Sequence, residues 1–241
     1  SGAKRVVSTG LNVGAFMKAT PMIRYYKNLI LTLSEVDGHP SLLVHALTGC
    51  SLHCFQCFNY EELITNKQER YYTIKDVVNY VIRQKDLTEY IIFSGGEFLN
   101  ASLDDLVHDL LAIREVSNKP IIIYTNGTNF EKMMALHKQK LVDGFHIDMK
   151  LPYHLLSKDD NDLIELTLGV KGKDKAFFDS LIKALDFTIY SDNGFSKVRS
   201  VQYPFLSESA FEENRIFIDQ LNQKYNKTVP YEVNNFIYPE Q

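Results

Sequence analysis

The three cysteines of the chain lie within one short stretch, "GCSLHCFQC", with the spacing C-x3-C-x2-C at Cys50, Cys54 and Cys57. An odd number of thiols cannot pair off completely in disulfides among themselves. A loop this short can turn three thiolates towards one inorganic cluster, and a [4Fe–4S] cube held by three cysteines leaves one iron without a protein ligand. Catalytic metal sites keep such a position open for substrate. The spacing therefore favours a catalytic iron–sulfur centre.

Zinc is the competing hypothesis for these thiols. His39, His45 or His53 could complete a tetrahedral site with three cysteines. Structural zinc motifs usually present two paired knuckles, whereas this chain has only one close pair of cysteines. A third alternative is three unrelated buried thiols, which the tight spacing disfavours. Iron–sulfur is favoured, and zinc stays open at this point.

Three other short stretches each follow an apolar, strand-like run. They are "FSGGE" at 93–97, "YTNG" at 124–127 and "IDMK" at 147–150. Gly95 and Gly96 would let backbone atoms approach a ligand closely, because neither residue has a side chain. Ligands of α/β folds bind at the carboxyl ends of the parallel strands, so we expect these stretches to share one edge with the cysteines. Taken alone, "GGE" is also typical of an ordinary turn, and Lys150 of a solvated strand end.

From about residue 27 onward, predicted strands alternate with predicted helices, and these elements must position the residues described above. Strands are predicted at 28–33, 41–47, 89–96, 120–127, 142–150, 197–204 and 231–238, and helices at 73–85, 102–116, 129–140, 176–191 and 209–225. The first two strands flank a turn with Asp37, Gly38 and Pro40, which indicates a hairpin. The polar stretch 151–172 matches no pattern and is predicted to be a surface loop.

This alternation, with continuous apolar strands such as 121–123, predicts a parallel sheet covered by helices. About six β/α units are too few for a closed eight-stranded barrel. The predicted fold class is therefore α/β, a partial (β/α)6 TIM-like barrel. We assign 27–241 to one catalytic domain and 1–26 to an N-terminal extension, whose first three residues look like the remnant of an expression tag.

Composition excludes several classes of partner. The 241 residues carry a net charge of −4 with a pI of about 6.0, so the chain has no basic footprint for nucleic acid or an anionic membrane. It has no apolar run near the length of a membrane span and no signal-peptide region at its start. We expect a cytoplasmic protein without nucleic-acid or membrane partners, in a compartment that keeps thiols reduced.

The cysteine spacing after a first barrel strand, together with "FSGGE", resembles the radical S-adenosylmethionine (SAM) superfamily. This resemblance implies a [4Fe–4S] cluster bound by Cys50, Cys54 and Cys57. It also implies that the open iron chelates the amino and carboxylate groups of SAM. An electron from the cluster then cleaves SAM to methionine and a 5′-deoxyadenosyl radical.

The resemblance further implies a SAM site on the remaining strand ends. Its predicted residues are Gly95, Gly96, Glu97, Asn126, Asp148 and Lys150. Lys150 would pair with the carboxylate of SAM, and Asp148 would face the ribose or a bound cation. Arg199, on a late strand, would be either another contact to SAM or a surface arginine. "YTNG" and "IDMK" resemble stretches of glycyl-radical-enzyme activases, but Tyr124 stands where that subgroup has an acid. This departure counts against the cation site of the subgroup.

The loop also resembles one type of activase in particular. Many relatives carry an aromatic residue before the third cysteine, where this chain has Gln56. The run Cys57-Phe58-Asn59 is similar to the anaerobic ribonucleotide reductase activating enzymes. The implied protein partner is a glycyl radical enzyme, with a flavodoxin or ferredoxin as electron donor. The alternatives are a radical SAM enzyme that modifies a small molecule or a ribosomal peptide, and a zinc-binding scaffold without catalysis.

Overall fold

The computed structural model describes residues 23–65 and 70–238. Within them, seven strands form one sheet whose order follows the chain. The strands are β1 Ile30–Thr32, β2 Ser41–Ala46, β3 Tyr90–Gly95, β4 Ile121–Thr125, β5 Gly144–Asp148, β6 Lys197–Gln202 and β7 Tyr231–Asn235. β1 pairs antiparallel with β2, and every later neighbour is parallel. The predicted hairpin and the partial, mostly parallel barrel are both confirmed.

Helices connect the parallel strands. They are α1 Ile74–Arg83, α2 Leu103–Arg114, α3 Phe130–Lys138, α4 Asn161–Leu168, α5 Lys175–Ser191 and α6 Glu208–Tyr225. The helices predicted at 73–85 and 102–116 have Thr73 and Ser102 as their N-caps. The Thr73 amide donates to Asp76 (2.8 Å), and the Ser102 hydroxyl accepts from the Asp105 amide (3.2 Å). In the part of the chain that the structure describes, no helix is long and apolar enough to cross a membrane.

The two faces of the sheet differ in character. One face packs against the helices, and its side chains Phe93, Ile123 and Phe145 are fully buried. The other face lines the interior of the half-barrel. There a small apolar cluster lies on the early part of the strands, and polar side chains such as Tyr124 and His146 follow it. Because successive strand residues point to opposite faces, the same strands build both the core and a polar interior.

The stretch 151–172 contains α4 and a 3₁₀ turn, Lys158–Asp160, so the prediction of a surface loop is wrong there. The helix buries Ile164 and Leu168 against the core. It ends at Gly169, which adopts a left-handed conformation (φ 64°). Helix α4 has only eight residues. That is too short for its apolar residues to show a helical period, and acidic residues surround them in the sequence.

Residues 23–26 pack with the domain, although we had assigned them to the extension. Ile23 and Tyr25 are 2% and 0% exposed, and Tyr25 forms antiparallel bridges with Ala46 and Tyr72. The rest of the assigned extension, 1–22, lies outside the described residues.

Candidate functional site

The cysteine loop follows β2 at the carboxyl edge of the sheet. Cys50, Cys54 and Cys57 are all free and half-buried. The Cys57 amide donates to the Cys54 carbonyl (3.2 Å), which closes a tight turn, and Gln56 takes a left-handed conformation with φ of 39°. The turn thus brings the second and third thiols of the motif together on one short segment.

Helix α4 holds this loop through backbone hydrogen bonds. The amides of His53 and Phe55 donate to the carbonyls of Leu168 (2.9 Å) and Thr167 (3.1 Å). Carbonyl groups in the last turn of a helix have no partner within the helix, so they are free to accept these bonds. The segment that sequence patterns missed is therefore one that fixes the cysteine loop in place.

A π-helical turn, Tyr60–Ile64, follows the third cysteine. The His53 ring stacks on Tyr60 with centroids 4.3 Å apart, and the Asn59 side chain donates to the Gly95 carbonyl (3.2 Å). A cavity of about 550 Å³ opens here, lined by His53, Cys54, Gln56, Cys57, Phe58, Tyr60, Glu61 and Glu62. Two of the three thiols thus face a space large enough for a cofactor.

Gly95 and Gly96 bring the end of β3 against the cysteine loop. A Cβ on Gly95 would lie 2.2 Å from the Ala46 carbonyl oxygen, and one on Gly96 would lie 2.4 Å from that of Gly49. No side chain fits at either position. The close backbone approach that these glycines allow is therefore an approach to other backbone of the same protein. Contact of the glycines with SAM stays a prediction.

Glu97 joins the ends of β3 and β4. Its carboxylate is 1% exposed and accepts hydrogen bonds from the Asn126 amide (2.7 Å), the Thr125 hydroxyl (3.0 Å) and the Leu99 amide (3.2 Å). Burial raises the pKa of Glu97 to about 7, although these three donors favour the charged form. Its carboxylate is hydrogen-bonded within the protein. Glu97 would therefore affect SAM binding only indirectly, by holding the backbone at the ends of β3 and β4 in place.

Asn126 connects the third strand-end motif to the cysteines. Its side-chain nitrogen lies 3.5 Å from the Cys50 sulfur and 3.4 Å from the Ser51 hydroxyl, and its Oδ1 accepts from the Thr128 amide (3.0 Å). The predicted neighbourhood of "YTNG" and the cysteine loop is therefore present.

Asp148 and Lys150 form an ion pair at the end of β5, in which Lys150 is buried and Asp148 is partly exposed. The Lys150 ammonium lies 2.6 Å from Asp148 Oδ2, and Arg199 Nη2 lies 3.2 Å from Asp148 Oδ1. Burial alone would raise the pKa of Asp148, but the two cations together lower it. Burial disfavours the charged form of Lys150, yet Asp148 holds the Lys150 pKa well above its ordinary value. Both side chains are therefore charged at neutral pH.

The thiols are suited to metal binding. Burial raises the pKa of Cys54 to about 12, partly opposed by the charge of Lys150, and burial also raises the pKa of Cys50. A buried thiol kept protonated in this way becomes a thiolate when a metal ion replaces its proton. Three half-buried thiols on one loop beside a cavity are therefore chemically compatible with an iron–sulfur cluster.

The histidines of the zinc alternative are dispersed. His39 precedes β2 and pairs with Glu89 (2.6 Å), whereas the cysteines follow the other end of that strand. His45 lies within β2, and His53 is stacked on Tyr60. Among residues 23–65 and 70–238, no three His, Cys, Asp or Glu side chains converge to hold a single metal ion. A cubane offers a separate iron to each thiolate, so its ligands need not converge on one point.

Two tyrosines at this edge escaped the sequence analysis. Tyr153 is 3% exposed and its hydroxyl accepts from the Lys150 amide (3.1 Å). Tyr203 follows β6, and burial raises its pKa to about 12 although Lys150 opposes this. Tyr203 lies near the end of the strand predicted at 197–204, and this position is the feature of the sequence that could have identified it as a site residue. The ring centroids of Phe55 and Tyr203 are 6.2 Å apart, so Tyr203 packs against one side of the cysteine loop.

Comparisons with known proteins agree with the geometry of this edge. The model of the radical SAM superfamily matches residues 44–162. A Methanocaldococcus jannaschii protein named "Putative glycyl-radical enzyme activating enzyme" is 31% identical over 122 residues, which are 50% of this chain and 48% of that protein. The chain thus spans about half the length of this relative.

Two solved structures align with most of this chain at low identity. "Native anSMEcpe with bound AdoMet and Kp18Cys peptide" aligns with a TM-score of 0.49 at 17% identity, over 83% of this chain and 55% of that one. The radical SAM enzyme coproporphyrinogen III oxidase of Escherichia coli aligns with a TM-score of 0.45 at 13% identity, over 68% and 37%. At these TM-scores neither likeness bears on the reaction of this chain.

The predicted resemblance is confirmed by the family match, which covers the end of β2, the cysteine loop, the glycine strand end and both later strand-end motifs. The cofactors of this family are a [4Fe–4S] cluster and SAM. The chain belongs to the radical SAM superfamily, whose family model matches residues 44–162.

Proposed function

We propose that this protein is a radical SAM oxidoreductase that activates a glycyl radical enzyme. The observation that carries the proposal is the meeting of three free cysteines with the Gly95–Gly96 strand end and the Lys150 ammonium at one edge of the sheet. This edge combines ligands for a cluster with close backbone approach and a buried cation. Those are the features that a site for SAM requires.

In this proposal Cys50, Cys54 and Cys57 are the three cluster ligands. The bound cluster would supply the electron that breaks a carbon–sulfur bond of SAM and so starts hydrogen abstraction from a substrate glycine. Lys150 gives one donor to Asp148 and keeps two N–H groups for a carboxylate. The glycine strand end, fixed by Glu97 and Asn126, would offer backbone groups to the amino end of SAM.

The activase assignment rests on sequence likeness. The relative named as an activating enzyme matches half of this chain, and the run from Cys57 to Asn59 resembles the activators of anaerobic ribonucleotide reductase. A protein substrate is therefore favoured, with a flavodoxin or ferredoxin as reductant. The runner-up is a radical SAM enzyme that modifies a small molecule or a ribosomal peptide.

The first experiment tests the cofactor chemistry. The full chain is reconstituted anaerobically with iron and sulfide, reduced with dithionite and incubated with SAM. We expect a brown protein with a cluster EPR signal and formation of 5′-deoxyadenosine, and we expect Cys54→Ala to lose both. A colourless protein that retains zinc and forms no 5′-deoxyadenosine would contradict the proposal and favour a zinc scaffold.

The second experiment tests the substrate. The reduced protein and SAM are mixed with an anaerobic ribonucleotide reductase that carries deuterated glycine. We expect deuterium in the 5′-deoxyadenosine and a glycyl radical in the EPR spectrum. With ordinary glycine the radical signal should be a doublet, split by the remaining α-hydrogen, and with deuterated glycine it should collapse to a single line. Production of 5′-deoxyadenosine with no radical on any glycyl radical enzyme offered, and turnover of a small metabolite instead, would favour the runner-up.

A further inference from the structure

A line of contacts runs from the interior of the half-barrel to the carboxyl edge of the sheet. The guanidinium carbon of Arg199 lies 4.0 Å from the ring centroid of Tyr124. Arg199 Nη2 lies 3.2 Å from Asp148 Oδ1, and Asp148 Oδ2 lies 2.6 Å from the Lys150 ammonium. Three strands, β4, β5 and β6, each contribute to this line, so its geometry is set by the sheet.

Arg199 is committed to its neighbours in the protein. One edge of its guanidinium contacts Asp148 and one face lies on Tyr124, and its side chain is only 18% exposed. The Tyr124 ring is itself fixed, because it stacks on His146 with centroids 4.9 Å apart and its hydroxyl donates to Glu35. A planar cation between an aromatic face and a carboxylate is held in both position and orientation.

The charge of this group depends on Arg199. Asp148 carries one negative charge between two cations, Arg199 and Lys150, so the three together bear a single net positive charge. Without Arg199 the remaining pair would be neutral, and Asp148 would draw the Lys150 ammonium to itself. An anionic ligand would then meet a weaker field and a less available donor.

We propose that Arg199 is a positioning residue: through Asp148, and with Tyr124 as its platform, it holds the Lys150 ammonium ready for an anionic group, the carboxylate of SAM. The inference rests on the proposed function, since it takes Lys150 as the carboxylate partner. It gives Arg199 an indirect role in place of the two alternatives of the sequence analysis, a direct contact to SAM or a surface arginine.

The same arrangement explains the aromatic residue at position 124. An acid there would pair with Arg199 and compete with Asp148 for the guanidinium. A tyrosine ring supports the guanidinium without taking its N–H donors, so all of the pairing is left to Asp148. Tyr124 and Arg199 therefore form a matched pair.

The test measures SAM affinity by titrating the SAM-dependent change in the EPR signal of the reduced, reconstituted protein. We expect Lys150→Met to weaken SAM binding about tenfold or more, and Arg199→Gln about tenfold. Tyr124→Leu should weaken it about three- to tenfold, whereas Tyr124→Phe, which keeps the ring, should change it less than about twofold. Arg199→Lys should recover part of the loss because it restores the charge.

Lys197→Gln is the matched control. Lys197 is also a buried cation on β6 and lines the same cavity as Tyr124 and Arg199, but its ammonium is paired with Glu232 at 2.6 Å and forms no ion pair with Asp148. We expect less than about a twofold change in SAM affinity for this variant. Iron content and thermal unfolding are recorded for every variant, so that a fall in affinity is compared only among proteins that fold and hold the cluster.

The outcomes separate the two proposals. Unchanged SAM affinity in Lys150→Met would overturn the assignment of Lys150 within the proposed function. A loss in Lys150→Met with no loss in Arg199→Gln and Tyr124→Leu would overturn the positioning role alone. Equal losses of SAM affinity in Tyr124→Phe and Tyr124→Leu would show that the Tyr124 hydroxyl and its bond to Glu35 matter, and not the ring. That result would overturn the role of the ring as a platform for Arg199.

Discussion

The backbone amide of His53 donates a 2.9 Å hydrogen bond to the carbonyl oxygen of Leu168. This bond joins the cysteine loop to the last residue of α4, more than a hundred residues later in the chain. Gly169 comes next, and a Cβ on it would lie 2.0 Å from the His53 carbonyl oxygen. The end of α4 and the loop are therefore in direct backbone contact, and a change at one should be felt at the other.

Gly169→Ala should destabilise the protein and loosen the cysteine loop. The alanine would have to keep a left-handed conformation (φ 64°) and also push against backbone that cannot rotate away. We expect a loss of more than about 2 kcal/mol in the free energy of unfolding, together with lower iron retention after reconstitution. Urea unfolding and iron analysis measure the two effects.

Gly172→Ala separates the contact from the backbone conformation. Gly172 also has a positive φ, 59°, but a Cβ there would meet nothing within 4 Å. This variant should lose only about 1 kcal/mol, the cost of the left-handed conformation, and should retain iron normally. If Gly169→Ala and Gly172→Ala behaved alike, the packing of α4 on the loop would not matter for the site.

Local patterns predicted most of the framework. The apolar run at Ile121–Ile123 and the strand-end glycines, Gly95 and Gly96, carry their information in a few adjacent residues, and the structure has them where the sequence indicated. The β/α alternation then fixes which ends of the strands meet. For this reason the shared edge of the cysteines and the strand-end motifs could be predicted without the structure.

Contacts between distant residues could not be predicted in the same way. Nothing local to Arg199 indicates that its guanidinium lies between Tyr124 and Asp148, since those neighbours come from two other strands. The eight-residue helix α4 is too short to show a period, and what stabilises it is the burial of Ile164 and Leu168 in the tertiary structure.

Glu97→Gln should alter how stability depends on pH. The pKa of Glu97 is about 7 in the folded protein, above the ordinary value of 4.5. Its contribution to stability is therefore fully present below pH 4.5 and is lost as the pH rises through about 7, a fall of up to about 3 kcal/mol. Glutamine cannot ionise, so the variant should lack this fall.

At pH 5.5 the glutamine variant should be less stable than the wild type by about 1–3 kcal/mol, because its amide group turns a donor towards the donors of Thr125 or Asn126. This difference should shrink towards pH 8.5, as followed by urea unfolding across the range. Glu212→Gln, at an exposed position on α6, is the control. A difference that stays constant with pH would contradict a raised pKa at Glu97.

Gln56 should respond to substitution according to its backbone conformation. With φ of 39° it lies in the left-handed region, which costs about 1 kcal/mol for a residue with a side chain. Gln56→Gly should therefore raise the free energy of unfolding by up to about 1 kcal/mol, and Gln56→Val should lower it by about 1–2 kcal/mol, because β-branching disfavours this conformation. Urea unfolding of the two variants measures the difference.

Lys140→Gly provides the comparison for Gln56. Lys140 has a similar conformation (φ 57°) after α3, away from the cysteine loop. It should be stabilised by a similar amount with no effect on iron retention. If Gln56→Gly lost stability while Lys140→Gly gained it, the Gln56 side chain would have a role beyond adopting the turn.

Tyr25→Phe should destabilise the domain through Asp109. The Tyr25 hydroxyl donates to Asp109 Oδ2 at 2.6 Å, and the two residues are 0% and 5% exposed. Removing the hydroxyl leaves one oxygen of a buried carboxylate without that donor, at a cost of about 1–3 kcal/mol. Asp109→Leu removes the other partner. The double variant should lose less than the sum of the two single losses, because neither partner of the Tyr25–Asp109 bond is then buried alone, and His108, the other partner of Asp109, is 54% exposed and can bond to water.

Tyr190→Phe is the control, since Tyr190 is 60% exposed on α5 and the same chemical change there should stay within about 0.5 kcal/mol. The comparison also shows whether the side chain of Tyr25 ties residues 23–26 to α2. A loss confined to Tyr25→Phe means that residues 23–26 contribute to the fold through α2. A loss of less than about 0.5 kcal/mol at Tyr25 would mean that the bond to Asp109 adds nothing measurable, and that residues 23–26 are held by the burial of Ile23 and Tyr25 and by the backbone bridges.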